Sequence, residues 1–165
     1  MRTSPVERAF IWTEAQRGRL RQGWGWNAEM NLDVIADVIR RGGALSDAQQ
    51  ASWRSRRMRT GAADSMRLGD IILAPNLPNW GLFSLFRLVG SYEYSMVDPH
   101  QYGERFGHVL PVQLLVGGVD RRAPTVHDSL RAMISLQPRL YTITAYGGHI
   151  ERLIDSAFGD SGVAR

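Results

Sequence analysis

Two tryptophans and an asparagine in a short segment are the side chains best suited to hold a flat ligand. Trp24 and Trp26 alternate with Gly23 and Gly25, and Asn27 follows directly. On an extended strand, residues two apart point to the same face, and glycines let another group approach the backbone closely. Asn27 offers both a hydrogen-bond donor and an acceptor to the edge of a base. The segment therefore predicts part of an aromatic base-binding site; the alternative is that both tryptophans are core anchors.

Two later loops add aromatic side chains of the same kind. The loop at 75–80 contains two prolines, two asparagines and a tryptophan, and the segment after residue 89 contains two tyrosines close together. Loops on a rigid scaffold often carry binding residues, and bases stack on aromatic rings. For the first loop, a plain hairpin connection is the alternative. The predicted base-binding cage consists of Trp24, Trp26, Asn27, Trp80, Tyr92 and Tyr94.

The basic residues could supply contacts to phosphate. All 20 of them are arginine, and the net charge is +4. One group alternates along 17–21 and another crowds 54–59. The planar guanidinium suits phosphate in a bidentate manner and also stacks on bases. For each group, a solvated surface that keeps the protein soluble is the alternative. The predicted phosphate-binding residues are Arg17, Arg19, Arg21, Arg54 and Arg57.

The composition excludes several classes of enzyme and of metal site. Without cysteine there is no thiol nucleophile, disulfide or cysteine-ligated zinc. Without lysine there is no Walker A loop and no Schiff-base enzyme. The four histidines lack metal-ligand spacing and are predicted to be structural, and no carboxylate pair suggests acid–base chemistry. We therefore expect a binding protein without cofactor or metal, not an enzyme.

These side chains require a framework of strands. Three apolar segments in series predict strands at 70–74, 81–89 and 109–115. A short apolar run at 9–13 predicts a first strand, and 19–26 predicts a second extended stretch.

Capping residues predict the helices. Asn31 and Ser46 are of N-cap type, and Gln49 completes a capping box three residues after Ser46. A helix beginning at Asn31 should end at the glycines at 42 and 43. The other predicted elements are helices from Ser46 to about Arg59, over 124–138 and over 150–158, and a strand at 140–144.

The chain is long enough for one domain with a real core and short for two. The expected organisation is a single domain at 1–158 with a flexible tail at 159–165. No apolar run approaches the roughly 20 residues needed to cross a bilayer, and the first residues lack a signal-peptide core. We expect a cytoplasmic protein without a membrane partner. Its predicted fold class is α+β, a compact bent sheet or partly closed β-barrel flanked by short helices.

Three segments in this order resemble the PUA-like domains of the EVE and YTH kind. The segments are Gly-Asp-(apolar)-Pro at 69–75, Val-Gly-x-Tyr-x-Tyr at 89–94 with its preceding strand, and His-Val-x-Pro-Val at 108–112. The second corresponds to Val-x-Gly-x-Tyr-x-Tyr in those domains. The pattern is most similar to the N-terminal domain attached to Mrr-type restriction endonucleases. The resemblance covers roughly residues 9–119 and is a pattern match of motifs.

The resemblance implies a partly closed β-barrel that flips a modified base into an aromatic cage. Trp24 or Trp26 would form one wall, Asn27 would lie near the base edge, and Tyr92 and Tyr94 are candidates for a second wall. The implied partner is nucleic acid, with DNA carrying modified cytosine favoured, in a restriction or phage-defence system. Cleavage would then need a nuclease domain or subunit. An RNA reader and a small-nucleotide sensor remain alternatives, as do an enzyme with an unrecognised centre and a protein–protein adaptor.

Overall fold

The computed structural model describes residues 5–23, 25–61, 65–96, 106–135 and 143–159. In these ranges the α-helices are α1 (Pro5–Gln16), α2 (Leu32–Arg40), α3 (Asp47–Trp53), α4 (Asp128–Ser135) and α5 (Gly147–Gly159). The strands are β1 (Arg19–Gln22), β2 (Ile71–Pro75), β3 (Leu82–Leu88), β4 (Glu93–Tyr94) and β5 (His108–Asp120). Single turns of 3-10 helix occur at Ala28–Met30, Arg56–Met58 and Thr144–Tyr146. None of the helices in these ranges is long and apolar enough to cross a membrane.

The five strands form one antiparallel sheet around the long strand β5. The order is β1-β5-β3-β2, and β4 also pairs with β5. Both β1 and β4 pair with His108 and Val109, so they must lie on opposite sides of β5. The rest of β5, from Val112 to Asp120, pairs with β3. The first half of β5 therefore lies between β1 and β4.

The sheet is open, which corrects the expectation of a partly closed barrel. In the described ranges, the edge strands β1 and β2 do not pair with each other. The physical reason is that both faces of the sheet are covered. One apolar cluster joins β3 and β5 to α1 and α2, and a second joins them to α4 and α5. Helices occupy the space into which a barrel would have to close. The coarse α+β class is confirmed.

Strand alternation in β3 separates the two clusters. Phe83 and Leu85 pack with α4 and α5, whereas Phe86 and Leu88 pack on the opposite face. All four side chains are almost completely buried. Residues of alternate parity point to opposite faces of a strand, so this one strand anchors both halves of the core.

The predicted strand at 9–13 is wrong, because this segment lies inside α1. Its contiguous apolar residues suggested a strand, but they lie around a helix. Ile11 and Ala15, one turn apart, are buried, while Phe10 and Trp12 pack partly buried against the same cluster. Pro5 occupies the first helical position, where its missing N–H costs nothing.

The three central strands and the local capping signals are confirmed. Asn31 caps α2 by accepting a hydrogen bond from the backbone N–H of Asp33 at 2.9 Å. Ser46 and Gln49 form the expected capping box of α3. This helix ends at Trp53, earlier than expected, and a separate 3-10 turn follows.

The C-terminal elements differ at their boundaries. Helix α4 begins at Asp128 and not at 124, and it buries Leu130, Met133 and Ile134. Helix α5 begins before the expected residue 150. Of the predicted strand at 140–144, residues 140–142 lie outside the described ranges and Thr144 begins a 3-10 turn. Residues 160–165 also lie outside them.

Candidate functional site

Trp26 lies at a corner that follows β1 and contacts the start of β5. Gly25 forms a parallel bridge with Phe106, and its carbonyl accepts a hydrogen bond from the N–H of Gly107 at 3.2 Å. The ring of Tyr94 lies directly against both glycines: a Cβ on Gly25 would be 2.9 Å from that ring, and one on Gly107 would be 2.8 Å from it. Only glycine fits at these two positions. Residues 25–27 together with Tyr94 are termed the tryptophan corner.

Hydrogen bonds fix the backbone on the other side of Trp26. The hydroxyl of Tyr94 donates to the backbone carbonyl of Asn27. The side-chain oxygen of Asn27 accepts from the backbone N–H of Met30 at 3.2 Å and so caps the 3-10 turn at Ala28–Met30. Trp26 is 39% exposed, so a fixed backbone holds an indole that solvent reaches. Such an indole can stack on a flat ligand. Trp24 lies outside the described ranges.

A buried chain of hydrogen bonds lies behind this corner. The backbone N–H of Leu32 donates to the Tyr92 hydroxyl at 3.2 Å, and that hydroxyl is 2.8 Å from Nδ1 of His108. Nε2 of His108 is 3.1 Å from the Ser52 hydroxyl, which donates to the carbonyl of Met30 at 2.9 Å. Since the Ser52 proton goes to this carbonyl, Ser52 accepts from Nε2–H and Nδ1 accepts from Tyr92. The chain is complete with a neutral imidazole.

Tyr92 therefore lies behind the corner, in the core, and does not line an accessible cage. It is only 8% exposed, and burial raises the pKa of its hydroxyl far above the ordinary value. His108 is fully buried and has the structural role expected of it. Their shared chain holds Met30, whose own N–H is capped by Asn27. The buried chain thus fixes the position of the tryptophan corner.

Trp80 is exposed but lies far from the corner. It is 51% exposed in the loop between β2 and β3, two residues before Leu82, which pairs with Asp120 at the last residue of β5. The corner contacts the opposite end of β5, near His108. At about 3.3 Å per residue, the full strand would span roughly 40 Å. Of the predicted cage residues within the described ranges, the structure brings together Trp26, Asn27 and Tyr94.

The arginines predicted on 17–21 converge on one carboxylate, that of Glu14. Arg21 is 2.8 Å from it, Arg19 is 3.5 Å and Arg17 is 3.8 Å away. Arg21 is buried and also donates to two backbone carbonyls, at 2.7 and 2.9 Å. Its guanidinium therefore stabilises the fold and faces away from any phosphate. Arg17 and Arg19 keep solvent-exposed side chains, but Glu14 offsets part of their charge.

A second group of arginines is exposed to solvent. Arg54, Arg56 and Arg57 lie at the end of α3 and in the following 3-10 turn, and in the described part of the chain no carboxylate lies within ion-pair distance of them. Their backbone is anchored by the buried side chains of Ser55 and Met58. These three residues are termed the arginine turn. It presents positive charge from a rigid base.

The arginine turn is connected to the tryptophan corner through Met30. Ser52, two residues before Arg54, bonds to the carbonyl of Met30, and Asn27 bonds to its N–H. Met30 thus links the tryptophan corner, which carries the exposed indole, to the arginine turn. Both groups were recognisable in the sequence, but their link through Met30 was not.

A separate pair of histidines lies at the beginnings of α4 and α5. His127 and His149 stack with ring centroids 4.0 Å apart. Nδ1 of His127 accepts from Ser129, and Nδ1 of His149 accepts from Arg152. Partial burial, His127 and Arg152 lower the pKa of His149. In the ranges that the structure describes, no three histidine, aspartate or glutamate residues are placed to hold a metal ion.

Two residues important for this site were missed in the sequence. The role of Glu14 could have been predicted, because this carboxylate precedes three alternating arginines at short spacing. The role of Gly107 could not have been predicted, because its partner Gly25 is far away in the chain.

Comparison of the chain with protein-family models, with curated proteins and with solved structures gave no match.

Proposed function

We propose that this chain is a nucleic-acid-binding specificity module that takes a flipped, modified base against the tryptophan corner. Modified cytosine in DNA is the first ligand to test, in the setting of restriction or phage defence. The observation that carries the proposal is the exposed indole of Trp26 on a backbone that hydrogen bonds link, through Met30, to the exposed arginine turn. The proposal includes a PUA-like domain of the EVE and YTH kind, with an open sheet as its framework.

Two contributions are needed for this mode of binding. Stacking on an indole contributes about 1–3 kcal/mol per base. Moving a base out of the duplex costs a few kcal/mol, so stacking alone does not supply useful affinity. Contacts between arginine and phosphate supply the rest and make the affinity depend on salt. The arginine turn is the described group best placed for them.

Asn27 and Tyr94 have different roles in this proposal. The oxygen of the Asn27 side chain already accepts from Met30, so its amide N–H groups are what it offers to a base edge. The ring of Tyr94 lies on Gly25 and Gly107 and holds the corner in shape. The chain acts by binding, and any cleavage comes from a nuclease domain or subunit associated with it.

The proposal is tested by titrating the protein with matched duplexes that contain cytosine, 5-methylcytosine or 5-hydroxymethylcytosine. Tryptophan fluorescence and gel mobility are followed at two salt concentrations. Tighter binding to one modified duplex with quenching of the indole supports the proposal. Equal, salt-sensitive binding to all three duplexes contradicts base recognition. Binding only to RNA or to free nucleotides would instead support an RNA reader or a nucleotide sensor.

A further inference from the structure

We infer that the phosphate backbone of a bound strand leaves the tryptophan corner across the arginine turn and continues to Arg67. Arg56 and Arg67 then each contact a phosphate. The inference rests on the proposed function and adds the path of the strand, together with a binding residue outside both arginine groups of the sequence. Arg67 is isolated in the sequence, and only the fold brings it close to the arginine turn.

One backbone hydrogen bond joins Arg67 to the arginine turn. The N–H of Met66 donates to the carbonyl of Arg57 at 2.9 Å. Arg67 follows directly, and its own N–H donates to the Asp70 carboxylate at 2.8 Å. The backbone is therefore held on both sides of Arg67 while its side chain is exposed. This fixes an additional guanidinium next to the arginine turn.

Two neighbouring carboxylates within the described ranges have other partners. Asp33 pairs with Arg59 at 2.8 Å. Asp70 accepts from a backbone N–H and lies beyond ion-pair distance of the Arg67 guanidinium. Within the described ranges, Arg56 and Arg67 have no ion-pair partner. This contrasts with the arginines on 17–21, which share Glu14. Exposed positive charge on this side of the corner is therefore arranged for an anionic partner.

Hydrogen bonds through two buried residues link the backbone of the tryptophan corner to the arginine turn. Met30 joins Asn27 to Ser52, Ser52 precedes Arg54 by two residues, and the arginine turn then leads to Met66. A strand whose base stacks on Trp26 meets these guanidiniums in that order. Guanidiniums on a fixed backbone suit repeated phosphate contacts, which position a strand without reading its sequence.

The test measures the salt dependence of binding for the double variant Arg56→Gln/Arg67→Gln. Each lost phosphate contact on duplex DNA lowers the slope of log affinity against log salt by about 0.9. The slope for the variant should therefore be smaller in magnitude by about 2. It should keep its preference for the modified duplex, because the tryptophan corner is unchanged. Both side chains are exposed, so thermal melting should match the wild type.

The matched control is Arg41→Gln/Arg122→Gln, which removes the same charge at exposed positions elsewhere. Arg41 follows the end of α2 that is distant from Met30, and Arg122 follows the end of β5 that is distant from the corner. This control should keep the wild-type slope. If both double variants lower the slope equally, or the first leaves it unchanged, the inferred path is wrong while the proposed function stands. If the wild type binds no nucleic acid, the proposed function itself fails.

Discussion

Replacing Tyr92 with phenylalanine tests the buried chain that holds the corner in place. The variant removes one hydroxyl and keeps the ring. It leaves the N–H of Leu32 and Nδ1 of His108 without their partner. Both residues are fully buried, so water does not replace the lost hydroxyl. Leu32 is also the first residue of α2, where a backbone N–H has no partner within the helix.

The expected cost follows from these two groups. A buried polar group that loses its partner costs about 1–3 kcal/mol. Two such groups predict a loss of about 2–6 kcal/mol from the free energy of unfolding. This is a large part of the roughly 5–15 kcal/mol that stabilises an ordinary domain.

The assay is urea unfolding followed by circular dichroism, with Tyr94→Phe as the matched control. The Tyr94 hydroxyl donates to the carbonyl of Asn27 in a partly buried hydrogen bond, and the loss of this bond should cost about 0.5–1.5 kcal/mol. A Tyr92→Phe variant no less stable than Tyr94→Phe would refute the complete hydrogen-bond chain. A loss in the range above would support it.

Further predictions concern close packing and pH. Gly107→Ala should lower the free energy of unfolding by about 1–3 kcal/mol, since the new Cβ would lie 2.5 Å from the Gly25 carbonyl oxygen and 2.8 Å from the Tyr94 ring. Thermal melting measures this loss of stability. Gly148→Ala is the control, because its Cβ would have no neighbour closer than 3.9 Å. An equal loss of stability in this control would contradict the close packing at Gly107. Burial raises the pKa of Tyr92, so the folded chain keeps this proton above the unfolded pKa of about 10. Stability should therefore fall as pH rises above about 10, and Tyr92→Phe should show a smaller fall; equal slopes in the two proteins would contradict it.

Features determined by neighbouring residues were predictable from the sequence. The Asn31 cap and the capping box of Ser46 and Gln49 depend on contacts two or three residues apart. The central strands were predictable because apolar segments between polar loops are typical of buried strands. The segment at 9–13 was wrongly predicted as a strand because it is short. The helix that contains it begins at Pro5, before the apolar run.

Features that join distant residues were not predictable. Tyr92 was predicted to be a cage residue, His108 was predicted to be structural, and Ser52 lay in a predicted helix. Their hydrogen bonds span large separations in the chain. Tyr92 was expected at the surface because its loop is polar, but a hydroxyl that finds buried partners allows the ring to enter the core. Whether the ring of Tyr92 enters the core depends on pairing across the sheet, and this pairing cannot be read from a single sequence.

The decisive measurement is the affinity of wild type and Trp26→Ala for a modified duplex and its unmodified match at one salt concentration. Base stacking on Trp26 predicts that the wild type prefers the modified duplex. Loss of about 1–3 kcal/mol of stacking should weaken the variant's binding to that duplex about 5- to 150-fold. The variant should keep its fold and bind both duplexes alike through arginine. A folded Trp26→Ala protein with the wild-type preference would contradict base recognition at the tryptophan corner.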